Sequence, residues 1–274
     1  MLEMLSEMLG TPVLLRALIV GILVSLCAAL LGITLVLKRY SMIGDGLSHV
    51  GFGALAIATV LNAAPMAVAI PVVIAAAFIL LRLSDNGKLK GDAAIALIST
   101  GALAVGVMAV SMSDGMNVDI NSYLFGSIIA VSKDDVLVSV ILAVVVIATF
   151  IIFYTKIFAI TFDENFARAT GTNAGAYNML IALLTAVTIV IGMRLMGSML
   201  ISSLIIFPAL CSMRVFKSFL SVTISSAVIS VVTFMAGMCI SYVLDTPCGA
   251  SIVCVNIVVF AAFYVIGKLT QRCR

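Results

Sequence analysis

The chain has 274 residues, of which 64% are hydrophobic and only 10% are charged, and its formal net charge at pH 7 is +3. Soluble domains are typically about 45–50% apolar and about 25% charged, so this composition excludes a water-soluble globular protein. The small net charge, carried by basic residues that form no tracts, argues against a nucleic-acid-binding protein.

The apolar residues form long continuous runs, which predict membrane-spanning helices because about 20 residues cross the hydrocarbon core of a bilayer. Transmembrane strands would be shorter and would alternate polar and apolar residues. In chain order, the nine predicted spans lie near residues 17–37, 43–61, 65–83, 93–112, 136–154, 177–193, 196–213, 218–243 and 250–267. The sixth and seventh spans are joined tightly around Gly192 and Gly197, so eight full spans plus a broken or re-entrant piece is an alternative. The predicted fold class is therefore an all-α polytopic membrane protein with eight to nine transmembrane helices.

The distribution of basic residues predicts how the chain is oriented, because cytoplasmic loops carry an excess of Lys and Arg. Twelve of the fifteen basic residues fall at one set of helix ends: Lys38, Arg39, Arg82, Lys88, Lys90, Lys156, Arg168, Arg214, Lys217, Lys268, Arg272 and Arg274. We therefore expect the N-terminus outside and the C-terminus in the cytoplasm. A multi-pass protein of a bacterial-type plasma (inner) membrane is the expected localisation.

Two connecting stretches are long enough to have roles of their own. The outer loop 113–135 mixes polar residues with a short apolar patch, and the cytoplasmic stretch 155–176 follows the fifth span. Within the second stretch, Asp163 can cap a short helix that runs through Thr170 and ends at Gly171. A helix that is not needed for spanning is an element that a cytosolic partner could grip, although an ordinary solvated loop is also compatible with the spacing.

The second predicted span opens with an ionisable pair, and such residues within a span usually have a function. Asp45 and His49, the single histidine of the chain, are four residues apart and so share one helix face. The pair could ligate a divalent cation, relay protons or serve as a structural hydrogen bond. Gly44, Gly46, Gly51 and Gly53 thin the same part of the helix, which lets another helix or a water-filled path approach.

Two ligands are too few for a closed metal site. A two-fold homodimer that meets along this helix would supply two Asp and two His side chains, a suitable tetrahedral set for zinc. Manganese or ferrous iron would accept the same ligand types. We expect a transported ion at this point and no permanently bound cofactor. The sequence has no Walker A pattern, so ATP hydrolysis would have to come from another chain.

Five ordered segments carry a family resemblance. They are LVLKRYSMIGDGLSHVGFG (35–53), SYLFGSIIAVS (122–132), FDENFARATG (162–171), MRLMGSMLISSLIIFPALCSMR (193–214) and LDTPCGASIV (244–253). These segments resemble the membrane subunits of zinc, manganese and iron ABC importers, over residues 12 to 265. One departure is Gly46, which stands where the family usually has alanine.

The resemblance implies a single transmembrane permease domain spanning 1–274 and a set of partner proteins. These partners are cytosolic ABC ATPase subunits, an extracytoplasmic metal-binding protein and a second permease copy, all assembled in a lipid bilayer. It also places Asp45 and His49 on the family's intramembrane Asp and His, which are implicated in metal passage. The residues that it assigns to ATPase coupling are Phe162, Asp163, Glu164, Phe166, Ala167, Arg168 and Gly171.

The outer surface offers a candidate docking rim for the metal-binding protein. Asp114, Asp119 and Asp245 lie in predicted outer loops and could meet basic groups on a partner. The leading hypothesis is a non-enzymatic permease subunit of an ATP-driven importer for zinc or manganese, with iron as a further possibility. A proton-coupled secondary transporter using Asp45 and His49 as its relay is the alternative. A third hypothesis is a non-transporting membrane scaffold or receptor.

Overall fold

The computed structural model of the protein describes residues 10–85, 91–112, 126 and 133–272. These ranges contain helices and turns but no strand. The helices, renumbered in chain order, are α1 Pro12–Leu37, α2 Ile43–Val60, α3 Pro65–Asp85, α4 Gly91–Met112, α5 Lys133–Ile152, α6 Tyr154–Phe162, α7 Glu164–Ala169, α8 Ala174–Met196, α9 Ser198–Val215, α10 Phe219–Leu244 and α11 Cys248–Arg272.

Nine of the described helices are long and apolar enough to cross a membrane, namely all except α6 and α7. Each coincides with one predicted span, and the ends differ by at most five residues. The prediction of an all-α polytopic membrane protein is therefore confirmed. The orientation of the termini and the assignment of 1–274 to one domain stay predictions.

The first helix forms the centre of the bundle. Val20, Val24, Cys27 and Ile33 on α1 have no exposed surface, and α1 contacts α5, α8, α9 and α10. Helix α2 packs against α3, α4, α8 and α9. The segment that bears the ionisable pair is therefore held by several neighbours and is not a peripheral helix facing lipid on all sides.

Helices α8 and α9 meet at a corner that lies inside the bundle. The backbone turns at Gly197, whose φ of 87° is left-handed and favours glycine. Gly192, five residues earlier, packs against Val24, which lies at the midpoint of α1. At 1.5 Å per residue, the corner is only about 7 Å beyond that level. Both α8 and α9 are nevertheless long and apolar enough to span a membrane, so the alternative of eight spans plus a re-entrant piece stays a prediction.

Gly126 lies against this corner. A Cβ on Gly126 would lie within 2.7 Å of backbone atoms of Met196 and Gly197, and the φ of Gly126 is 79°. Irregular backbone within a bilayer is tolerated only where protein buries it or where it lines water. The contact at Gly126 meets that requirement for the corner.

The stretch 155–176, predicted to be cytoplasmic, is more helical than the sequence predicted. A short break at Phe153 separates α5 from α6, and α6 then buries Ile157 and Ile160 while most of its other side chains are partly or fully exposed. The Phe158 ring packs on Phe162 and on Phe219 of α10, with centroid distances of 4.9 and 5.5 Å. The prediction of one short helix between spans was therefore incomplete, because α6 lies against the bundle through its apolar face.

Candidate functional site

The predicted ionisable pair faces one cavity from the first two turns of α2. His49 Nε2 lies 3.7 Å from Asp45 Oδ2, and the side chains of His49 and Asp45 are 27% and 44% exposed. A tetrahedral zinc ion with ligands at about 2.1 Å holds its donor atoms roughly 3.4 Å apart. The observed spacing is therefore close to the separation of two ligands of one ion.

One neighbouring hydroxyl group contacts the carboxylate of this pair, and a second bonds to the backbone of the same residue. Ser202 Oγ of α9 lies 3.4 Å from Asp45 Oδ1, and Ser48 Oγ donates to the Asp45 carbonyl oxygen at 2.7 Å. His49 Nδ1 is buried and has no hydrogen-bond partner within the described residues. The imidazole turns its other nitrogen, Nε2, towards Asp45, where it could bind a ligand.

The pair lies beside the α8–α9 corner. A Cβ on Gly51 would meet the Met193 side chain near the end of α8 at 2.8 Å, and Asp45 contacts Ser202 near the start of α9. Neighbouring helices fill the space beside the glycines around the pair, since a Cβ on Gly46 would lie 2.5 Å from Ile95 of α4. These glycines therefore allow another helix to approach closely, which is one of the two roles predicted for them.

A cavity of about 430 Å³ connects the pair to the start of α4. Its lining residues are Met42, Asp45, His49, Asp92, Ile95, Ala96, Ser99, Thr100 and Leu103. Three of these residues, Asp92, Ser99 and Thr100, were not predicted to belong to this site. Their spacing over two turns of a mostly apolar helix was a usable signal, because it places Asp92 and Ser99 on one face.

One copy of the chain supplies an incomplete coordination sphere. Among the described residues, no group of three or more His, Cys, Asp or Glu side chains could hold a metal ion. Asp92 therefore shares the cavity with Asp45 and His49 without forming a third ligand. Two donors, one of them a half-exposed carboxylate, are suited to a transient stop and not to a closed structural site.

The candidate coupling helix α7 is capped at both ends as the sequence predicted. The Phe166 amide donates to Asp163 Oδ1 at 2.9 Å, and Gly171 has a φ of 82° just beyond the end of the helix. Ala167 is completely buried, whereas the Phe166 residue and the Arg168 side chain are 62% and 57% exposed. The helix is thus fixed to the bundle through one side and presents an aromatic and a basic residue on the other.

Glu164 connects α7 to other elements. Burial raises the pKa of its carboxyl, but hydrogen bonds from Arg168, Asn178 and Lys38, together with the Lys38 charge, outweigh burial and lower the pKa to about 2. Arg168 Nη2 lies 2.6 Å from Glu164 Oε1. Glu164 is therefore ionised at any physiological pH. The Phe162 ring lies 6.0 Å from that of Phe219, although the residue is 59% exposed.

The candidate docking rim is described only in part. Asp245 is exposed at the end of α10, where its left-handed φ of 51° forms the corner with α11. The Ser241 hydroxyl donates to the Thr246 carbonyl across this corner at 2.6 Å. Asp114 and Asp119 lie outside the described residues, so the rim stays a prediction.

Comparisons with known proteins agree over nearly the whole chain. The chain is 28% identical over 260 residues to the high-affinity zinc uptake system membrane protein ZnuB of Haemophilus influenzae, which covers 95% of this chain and 98% of the relative. It is 34% identical to a probable metal transport system membrane protein of Thermotoga maritima, over 88% of this chain and 85% of that protein. It is 29% identical to the manganese transport system membrane protein MntC of Halalkalibacterium halodurans, over 94% and 89% of the two chains.

The fold agrees with a solved structure as well. PsaBC from Streptococcus pneumoniae in complex with Fab matches with a TM-score of 0.84 and 27% identity, over 97% of this chain and 95% of that chain. The model of the ABC 3 transport family matches residues 11–267. Because this match spans most of its length, the chain belongs to the ABC 3 transport family.

Proposed function

We propose that this protein is the permease subunit of an ATP-driven importer of a divalent transition-metal ion, either zinc or manganese. The observation that carries the proposal is the Asp45–His49 pair, which faces a cavity near the α8–α9 corner. The names of the relatives support it, since they describe zinc and manganese uptake systems. Iron is compatible with the same two ligand types.

The proposal includes partners on both sides of the membrane. Cytosolic ABC ATPase subunits would hydrolyse ATP and dock on α7, and an extracytoplasmic metal-binding protein would dock on the rim formed by Asp114, Asp119 and Asp245. A second permease copy would complete the coordination sphere, because the described part of one copy offers only two ligands for an ion. The protein would lie in a bacterial-type inner membrane with its C-terminus in the cytoplasm. In that orientation, the coupling helix would face these ATPase subunits.

A proton-coupled carrier using Asp45 and His49 as its relay is less favoured. A capped helix with exposed aromatic and basic side chains between two spans has no role in such a carrier. It does have one in a transporter that is driven from the cytosol. The family match supports the same reading.

The experiment that tests the metal site is uptake by the reconstituted transporter, normalised to folded protein. Removal of the imidazole in His49→Ala, or of the carboxylate charge in Asp45→Asn, should lower uptake at least about tenfold, because each change removes one of only two ligands. The variants should still assemble with the ATPase, since both side chains lie at a cavity.

A matched control removes a carboxylate elsewhere. Asp134 lies exposed in the first turn of α5, and Asp134→Asn makes the same chemical change away from α2. We expect normal uptake from this control. A structural pair at Asp45 and His49 predicts a lower yield of folded protein with normal uptake per molecule, and that result would exclude the ligand role.

A further inference from the structure

A partly buried ion-pair cluster joins three segments that are distant in sequence. Lys38 follows the last residue of α1, and its Nζ lies 3.1 Å from Glu164 Oε2 of α7 and 2.5 Å from Asn178 Oδ1 of α8. Asn178 Nδ2 closes the triangle by donating to Glu164 Oε2 at 3.1 Å. The helix that the sequence assigns to ATPase coupling is thereby bonded to the α1–α2 corner.

The environment of Lys38 makes this cluster resistant to separation. The Lys38 side chain is only 11% exposed, and a charge removed from water is costly unless it is paired and hydrogen-bonded. If α7 moved alone, Lys38 would lose the carboxylate that balances its charge. Displacement of α7 together with the corner avoids that cost, so the two elements are expected to move as a unit.

The corner leads directly to the candidate metal site. Lys38 precedes Asp45 by seven residues, and the segment between them is fixed by backbone hydrogen bonds. The Tyr40 amide donates to the Leu35 carbonyl at 2.8 Å, and the Ile43 amide donates to the Tyr40 carbonyl at 3.0 Å. A corner bonded in this way passes a displacement on to the start of α2, whereas a flexible loop would absorb it.

We propose that the cluster of Lys38, Glu164 and Asn178 transmits movement of α7 to the helix that carries Asp45 and His49. These three are positioning residues, since they contact the ends of the helices and lie away from the ion. The inference rests on the proposed function, in which an ATPase moves α7. It assigns to Lys38 and Asn178 a role in coupling that the sequence motif gave only to residues 162–171.

The test is the number of metal ions transported per ATP hydrolysed by the full transporter in proteoliposomes, with its ATPase and binding protein. Lys38→Met keeps the aliphatic stem and removes the charge, and Glu164→Gln keeps the shape. Each should lower the ratio at least about tenfold, the scale of one lost charge-assisted hydrogen bond, while ATP hydrolysis continues. The double variant should be no worse than either single variant, because residues acting through one contact are not additive.

Lys156→Met is a matched control. Lys156 Nζ lies 3.3 Å from Thr172 Oγ1, next to the same cytoplasmic segment but with no bond to the α1–α2 corner. Its ratio should stay within about twofold of the wild type, as expected for a partly exposed contact. Equal losses in Lys156→Met and Lys38→Met would overturn the proposal, as would multiplying losses in the double variant.

A further variant covers the case in which Lys38→Met fails to assemble. Asn178→Ala removes two hydrogen bonds and leaves the Lys38–Glu164 ion pair in place, so it is expected to fold. Its ratio should fall at least about threefold, and an unchanged ratio would overturn the link. Absence of ATP-driven uptake of either zinc or manganese by the wild type would instead contradict the proposed function itself.

Discussion

Helices α2 and α4 both line the candidate metal cavity, and at Gly53 their backbones come into close contact. A Cβ on Gly53 would lie 2.5 Å from the Ala102 carbonyl oxygen, about 0.9 Å short of ordinary contact. The obstacle is backbone, so no side-chain rotation relieves it. Gly53→Ala should therefore push the two helices apart and lower the free energy of unfolding by about 1–3 kcal/mol, the usual cost of overpacking.

The same displacement should disturb transport. Asp45 and Asp92 lie on opposite walls of the cavity, and a misplacement of about 1 Å at a site can lower its activity by roughly 100-fold. Thermal unfolding in detergent measures the first effect, and metal uptake per folded transporter measures the second. We expect a lower melting temperature and at least tenfold less uptake, on the order of the loss that such a misplacement produces.

Gly101 of α4 is the matched control, because a Cβ there would meet nothing within 4 Å. Gly101→Ala should stabilise the helix by about 0.5–1 kcal/mol through the lower entropy of alanine in the unfolded chain. Equal melting temperatures and equal metal uptake in the Gly53→Ala and Gly101→Ala variants would refute the close crossing of α2 and α4.

Three further predictions concern the cytoplasmic and outer surfaces. Phe166→Ala combined with Arg168→Ala should uncouple ATP hydrolysis from uptake without unfolding the permease, since both side chains are largely exposed; normal coupling in the double variant would contradict a docking role for α7. The lowered pKa of Glu164, about 2 against an ordinary 4.5, predicts that wild type exceeds Glu164→Gln in melting temperature by a constant amount above about pH 5 and loses this advantage as pH falls towards 2. Asp245→Asn should slow association of the metal-binding protein and weaken its salt dependence, as measured by stopped-flow mixing; a rate indifferent to both changes would argue against the docking rim.

Most of the fold could be predicted from the sequence because hydropathy reports helix length directly. The second predicted span, 43–61, coincides with Ile43–Val60, and the eighth, 218–243, coincides with Phe219–Leu244. Charged or turn-forming residues bound these apolar runs. Hydropathy does not report how far a helix end lies along its neighbours, however. The position of the α8–α9 corner relative to α1 follows only from the packing of Gly192 on Val24.

The candidate site could be predicted only where its residues are neighbours in sequence. Asp45 and His49 are one turn apart on a single helix, and Asp163 caps a helix that begins at the next residue. Ser202 reaches Asp45 from 157 residues away, and Lys38 reaches Glu164 from 126 residues away. Such contacts depend on the arrangement of helices, which no local pattern records. The roles of the predicted metal, coupling and docking residues stay predictions.

The most direct test of the account is metal uptake into proteoliposomes that contain the full transporter, measured for zinc and for manganese with different driving forces. If the protein is the permease of an ATP-driven metal importer, uptake of at least one of the two ions should require hydrolysable ATP and the binding protein. This uptake should continue in the presence of a protonophore and should be lost in Asp45→Asn. Uptake driven by a proton gradient without ATP would contradict it and would favour a proton relay at Asp45 and His49.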